Sequence, residues 1–229
     1  MLYRDVMDEL QRMTNPANLP GQARFGIDVS HSLGISMTQL RPLARRIGKD
    51  HELAQALWDS GVREARILAT LVDEPTSVTP EQMDSWASGF TSWEVVDACS
   101  CNLFDRTEHR YAKAVEWAGR EEEFVKRAGF SLMAGIAVHD RRASDEQLME
   151  LLEVIEREAC DGRNFVRKAV NWALRQIGKR NQTLNDAAIR RAERIAALEC
   201  KAARWVASDA LKELRSPQVQ QRLSLKGKA

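Results

Sequence analysis

Trp93 and Asp97 stand four residues apart in Ser92-Trp93-Glu94-Val95-Val96-Asp97, a spacing that sets an indole and a carboxylate on one face of a helix. Arg127 and Trp172 follow further along the chain. Trp172 sits inside the most charge-biased run of the sequence, Arg163 to Arg180. That run holds Arg163, Arg167, Lys168, Arg175, Lys179 and Arg180 and no acidic residue. At four-residue steps Arg163, Arg167, Asn171, Arg175 and Lys179 form a polar stripe, while Phe165, Ala169, Val170, Ala173, Leu174 and Ile177 line a side expected to face a core. Unrelieved like charges at this spacing destabilise a helix. Such a surface is therefore expected to meet a polyanion, of which a nucleic-acid backbone is the commonest. The alternative is a solvated basic face whose partners sit on a neighbouring helix.

The elements that must carry these residues read as helices. Glycines number 12 and prolines 6 in 229 residues, and Ala, Leu, Arg and Glu are abundant, which points to an all-α fold. Charged residues at 29%, hydrophobic ones at 44% and a mean hydropathy of −0.43 are ordinary for a globular chain. The spacing predicts a helix from about Tyr3 to Met13, then a linker that Pro16, Pro20, Gly21 and Gly26 keep out of regular helix. Further helices are expected near 38–47, 51–59, 62–73, 80–88, 92–104, 107–118, 121–138, 145–158, 163–179, 184–199 and 200–214. Thr79-Pro80-Glu81 and Ser144-Asp145-Glu146 read as helix starts, and Gly48, Gly61, Gly89 and Gly178 as stops. The tail from Ser216 to Ala229, with Lys226 and Lys228 near its end, is expected to fray.

Phe124-Val125-Lys126-Arg127-Ala128 recurs as Phe165-Val166-Arg167-Lys168-Ala169, an offset of 41 residues. Fragments of the pattern return at Val62-Arg63-Glu64-Ala65 and Ala203-Arg204-Trp205-Val206. A period near 40 with two helices per unit is the signature of HEAT-like repeats. The expected architecture is one domain over 1–229, a right-handed superhelical solenoid of five or six helix pairs, with 1–33 as N-terminal helix and linker and 216–229 as a flexible tail. Its inner helices would line a concave cationic groove. If the repeats stack in register, Trp93, Asp97, Arg127 and Trp172 converge there beside the basic stripe.

No apolar stretch approaches the roughly 20 residues that span a bilayer, and Arg4, Asp5, Asp8, Glu9 and Arg12 give the start of the chain no signal-peptide character. A cytoplasmic, nucleoid-associated protein is expected. Cys99, Cys101, Cys160 and Cys200 match neither a zinc pattern nor a disulfide framework and are expected as buried free thiols. His31, His51, His109 and His139 show no paired ligand spacing, so neither metal nor cofactor is expected. The net charge is +1 but uneven: from residue 120 onward there are 22 basic against 16 acidic side chains. An anionic partner belongs with the C-terminal half.

Over roughly residues 34–217 the sequence resembles the AlkD-like DNA alkylation repair glycosylases. The resemblance is carried by Gly34-Ile35-Ser36 with Leu40 to Ala44, Gly48 to Ala54, Trp58 to Ala65, and Ser92-Trp93…Asp97…Asn102-Leu103-Phe104. It continues through Phe124 to Ala128, Phe165 to Arg175 and Ala203 to Leu211. The resemblance implies a HEAT-like solenoid and puts the catalytic aspartate at Asp97, the two site tryptophans at Trp93 and Trp172, and the site arginine at Arg127. The chain departs from the pattern at Glu94, where some members carry an aromatic residue, and in a longer stretch between Arg127 and Trp172.

The implied activity is hydrolytic release of N3- or N7-alkylated purines from double-stranded DNA by a monofunctional monomer, leaving an abasic site. The family resembled works without flipping the base, and the sequence, which shows no evident base pocket or wedge loop, is compatible with that. Alkylation makes the base cationic and weakens its glycosidic bond, so the remaining task is to stabilise positive charge building on the sugar. Asp97 would do that and orient water. The faces of Trp93 and Trp172 would favour a cationic nucleotide. Arg127 would hold a phosphate, and Lys126, Arg163, Arg167, Lys168, Arg175, Lys179 and Arg180 would contact the DNA backbone. The competing reading is a non-catalytic HEAT-repeat scaffold that binds DNA or protein.

Overall fold

The computed structural model describes residues 1–226, and Lys228 with the end of the expected tail lies outside them. Among the described residues the regular structure is helical: α1 (Tyr3–Arg12), α2 (Leu19–Arg24), α3 (Met37–Ile47), α4 (His51–Asp59), α5 (Arg63–Val72), α6 (Pro80–Ser88), α7 (Trp93–Asn102), α8 (Arg110–Ala118), α9 (Glu123–His139), α10 (Asp145–Arg157), α11 (Asn164–Gly178), α12 (Gln182–Ala196), α13 (Lys201–Leu214) and α14 (Pro217–Lys226). Short 3-10 turns at Pro16–Asn18, Pro75–Ser77 and Phe104–Arg106 complete it. None of the described helices is long and apolar enough to cross a membrane.

Local chemistry sets the boundaries. Thr79 caps α6 by accepting from the Gln82 amide at 3.2 Å, and Ser144 and Gln147 cap α10 reciprocally at 3.3 and 3.1 Å. Gly48 ends α3 at φ 81° and Gly61 follows α4 at φ 71°, left-handed conformations that favour glycine. Two expectations fail, both at prolines. Leu19–Arg24 is a helix, with Pro20 in its first turn, where a missing N–H costs nothing. Residues 217–226, expected to fray, form α14 from Pro217, which buries its own Leu223. The helix expected over 92–104 ends at Asn102 and passes into the 3-10 turn.

The chain separates into two compact units, Met1–His109 and the residues from Arg110 onward. In the first, α4 pairs with α5, α5 packs against α3 and α7, and α1 leans on α4 and α5. Its core is built around Trp58 and Trp86, stacked at 4.1 Å with their planes parallel to within 1°. Phe90 meets Trp58 edge-on and Phe104 lies against Trp86. Arg66 covers the Trp58 ring at 4.9 Å, and the Trp86 indole donates to Gln55 at 3.3 Å.

The second unit shows the repeat directly. Pairs α8–α9, α10–α11 and α12–α13 stack so that the second helices run α9, α11, α13 and the first helices α8, α10, α12. Gly129 lets α9 lie against α8, because a Cβ there would come within 2.5 Å of the Ala118 amide nitrogen.

Cys160 and Cys200 form a disulfide, with Cα atoms 5.7 Å apart, which corrects the expectation of free thiols for this pair. The reason is the repeat. The two cysteines are 40 residues apart, one period, and occupy the turns before α11 and α13, so stacking brings them together. Cys99 is buried, and burial pushes its thiol well up, whereas Cys101 is half-buried.

Candidate functional site

The six tryptophans divide by environment. Trp58, Trp86 and Trp117 belong to the core. Trp93 and Trp172 are half-buried, and Trp205 is 36% exposed.

In the first unit, Trp93 opens α7 and Asp97 lies one turn later, half-buried. The segment between α2 and α3 fixes the start of α7. The Trp93 indole donates to the Phe25 carbonyl at 3.0 Å, and the Asp28 amide donates to the Ser92 hydroxyl at 3.3 Å. Beneath this lies a charge network. Glu64, wholly buried, accepts from the amides of Leu33, Gly34 and Ile35 at 2.8, 2.9 and 3.3 Å and from the Ser32 hydroxyl at 2.7 Å. Arg63 bridges it to Glu94 with hydrogen bonds of 2.9 and 2.7 Å. Glu94, the departure from the family pattern, also accepts from Ser92. An aromatic residue there would leave Arg63 with one carboxylate fewer, so Glu94 belongs to the support beneath Trp93. A cavity of about 390 Å³ beside this network is lined by Asp28, His31, Arg63, Arg66, Ser92 and Glu94, residues too scattered in the sequence to form a motif. Among the described residues no group of His, Cys, Asp or Glu could hold a metal ion.

In the second unit, Arg127 is 6% exposed and donates to the Phe165 carbonyl at 2.7 Å. Trp172 lies in the middle of α11. Of the apolar side of that helix, Ala169, Val170, Ala173, Leu174 and Ile177 are buried, and Phe165 lies tilted against Phe124 with ring centres 5.6 Å apart.

The basic stripe is less uniform than its spacing implies. Asn171 is buried and bonds to the Val206 carbonyl at 3.3 Å rather than joining the stripe. Arg175 and Lys179 both pair with Glu213 on α13, Lys179 at 2.6 Å. Burial raises the Glu213 pKa, but bonds from Lys179 and Arg175 outweigh it and hold it low. Arg163 pairs with Asp161 at 2.6 Å, and Lys126 with Glu158 and Asp161 at 2.8 and 3.4 Å. Arg180 donates to the carbonyls of Ala137 and Ala143 at 3.0 and 3.2 Å. Arg167 instead lies over the Trp205 ring at 4.7 Å, and Lys168 is exposed with no ion pair among the described residues. Arg204 and Lys201 on α13 are exposed as well. The repeat was the available signal: Glu213 follows Arg175 by 38 residues and Lys179 by 34, close to one period.

These features have relatives. The profile of the family described as DNA alkylation repair enzyme matches residues 6–214. The chain is 24% identical over 200 residues to the uncharacterized protein Lin0241 of Listeria innocua, an alignment covering 85% of this chain and 87% of that protein. It is 26% identical over 137 residues to the uncharacterized protein Lmo0209 of Listeria monocytogenes, covering 58% of this chain and 61% of that one. Among solved structures it is similar, at a TM-score of 0.81 and 18% identity over 97% of this chain and 96% of the other, to a protein described as one of a new family related to the HEAT-like repeat DNA glycosylases with affinity for branched DNA structures. At that identity the likeness is one of fold, and the fold is the HEAT-like one the repeat period predicts. With nearly the whole chain matched, the protein belongs to the DNA alkylation repair enzyme family.

Proposed function

We propose that this protein is a DNA-binding glycosylase that hydrolyses the N-glycosidic bond of cationic N3- or N7-alkylated purines in duplex DNA, leaving an abasic site. Family membership combined with the retained quartet of Trp93, Asp97, Arg127 and Trp172 carries the reading. The environments of the tryptophans support it, since Trp93 and Trp172 are half-buried while three others fill the core.

In this reading Asp97 stabilises the positive charge that develops on the sugar as the bond to the base breaks, and orients the water that adds to it. The departing base takes the bonding electrons, which neutralise its own positive charge, so no strong acid is required. Trp93 and Trp172 present electron-rich faces to the cationic nucleotide. Arg127, fixed on the Phe165 carbonyl, contributes a guanidinium for a phosphate. Lys168, Arg167 and the exposed cations of α13 contact the backbone without reading sequence.

A second reading is favoured by one observation. The solved protein of similar fold is described by affinity for branched DNA structures. A non-catalytic binder of DNA structure would retain salt-sensitive binding and release no base. Incubating the protein with methylated duplex DNA and identifying the freed bases by chromatography separates the two. Release of 3-methyladenine or 7-methylguanine is the expected result; binding without release assigns the protein to the second reading.

A further inference from the structure

A small cavity of about 140 Å³ opens where the ends of α9 and α11 meet α14. Its lining is Ala137, Val138, Gln176, Lys179, Arg180, Arg222 and Lys226, with four cations and no carboxylate. Two of those cations come from α14, the helix that sequence reasoning took for a frayed tail.

The cations here are handled differently from others in the same unit. Arg191 and Arg194 share Glu156, Arg110 pairs with Asp140, and Arg215 pairs with Glu193. Among the described residues, Lys179 is the one cation of the cavity with a carboxylate partner, Glu213, which it shares with Arg175. Arg180 is fixed by two neutral carbonyls, which orient its guanidinium without cancelling its charge. The Lys226 ammonium donates to the carbonyls of Arg180 and Lys179 at 3.0 and 3.4 Å, beyond the end of α11. Arg222 is exposed and has no ion pair among the described residues. Burial of its ammonium, then repulsion from Arg222 and Arg180, lowers the Lys226 pKa. An anion seated among the three would relieve that repulsion.

Size narrows the ligand. The cavity equals about five water volumes at ~30 Å³ each, well below the ~300 Å³ at which pockets for drug-sized ligands begin. That volume matches one tetrahedral oxyanion more closely than a base with its sugar. Its lining of guanidinium, ammonium and one amide offers hydrogen-bond donors from several directions. We propose that Arg180, Arg222 and Lys226 form a site for a single phosphate group. The group reaches it either as a DNA backbone phosphodiester, which rests on the DNA-binding part of the function proposed above, or as free phosphate, which does not.

The test uses the full chain, undamaged duplex DNA and no measurement of base release, so a protein without glycosylase activity can still pass it. Wild type, Arg222→Ala and Lys226→Met are titrated with inorganic phosphate by calorimetry at constant ionic strength, with chloride as control. The same proteins are titrated with a labelled duplex by fluorescence anisotropy over a series of salt concentrations. If the site takes a backbone phosphate, each substitution weakens duplex binding several-fold and reduces the salt slope by about one. If it takes free phosphate, wild type binds phosphate over chloride and both variants lose that binding while duplex affinity stays. Phosphate and duplex binding unchanged in both variants overturns the proposal, and a loss of thermal stability in Lys226→Met alone would then make Lys226 only a cap on α11.

Discussion

The two compact units treat charge in opposite ways. The first takes it inside: Glu64 is wholly buried against a half-buried Arg63, and their network with Glu94 ties the segment before α3 to α5 and α7, where Trp93 and Asp97 sit. The second spreads most of its charge over partly exposed ion pairs between neighbouring repeats, with Arg127 and Lys113 buried among the described residues. A buried network is rigid but fails when one member is removed, because the others stay desolvated without a partner. Surface pairs each contribute little, ~0–1 kcal/mol, and tolerate loss. The unit that holds the catalytic candidate is thus built for fixed geometry, and the unit with the cationic helix is held by pairs that can be lost one at a time.

The largest effect should come from Glu64→Ala, which removes the acceptor of three backbone amides and leaves Arg63 with Glu94 alone. Removing one partner of a buried pair costs about 3–5 kcal/mol. Thermal unfolding should then fall by roughly 6 °C or more, and a fall of a degree or less would break the contrast.

Next is the Cys160–Cys200 disulfide. Closing a 40-residue loop contributes up to about 4 kcal/mol in the chain-entropy picture. Adding reductant to wild type should lower the melting temperature by several degrees, and should leave Cys160→Ser unmoved. Equal responses of the two proteins would show that the bridge contributes nothing.

Acid should act chiefly on the second unit. Burial raises Asp140, Glu156, Glu158, Asp161 and Glu213, but bonds from their arginine and lysine partners prevail and leave all five low. Groups lowered in the fold stabilise it fully above the ordinary carboxylate values of 3.8 to 4.5, and that contribution drains as pH falls through their lowered values. Hydrogen exchange at pH 3 should show α10 to α13 opening before α4 to α7. The reverse order would contradict the assignment.

The smallest effect separates cations within one helix. Lys168→Ala should weaken duplex binding modestly and reduce the salt slope by about one, whereas Lys179→Ala, whose charge Glu213 already engages, should change it less. Equal slopes would restore the uniform stripe that spacing alone suggested.

Much of this was legible in the sequence. Helix boundaries followed from caps and glycines because those signals are local, and the 41-residue recurrence gave the repeat. The i, i+4 relation put Trp93 and Asp97 on one face of α7. What escaped notice lies one repeat away. Cys160 finds Cys200 and Arg175 finds Glu213 across stacked helices, so scanning for short motifs misses both, although the period pointed to each. The linker was misread because Pro20 was taken as a breaker where it sits in the first turn of a helix, and the tail because its polar composition hid the one apolar side chain, Leu223, that α14 buries.

Asp97 is the side chain on which the proposed chemistry depends. Wild type and Asp97→Asn should be compared for release of 7-methylguanine from methylated duplex DNA and, in parallel, for affinity to the same duplex. A carboxylate acting on developing positive charge predicts at least a 100-fold loss of release, on the order seen when one preorganised electrostatic group is removed, with affinity retained. Unchanged release from Asp97→Asn would contradict the assignment of chemistry to this side chain.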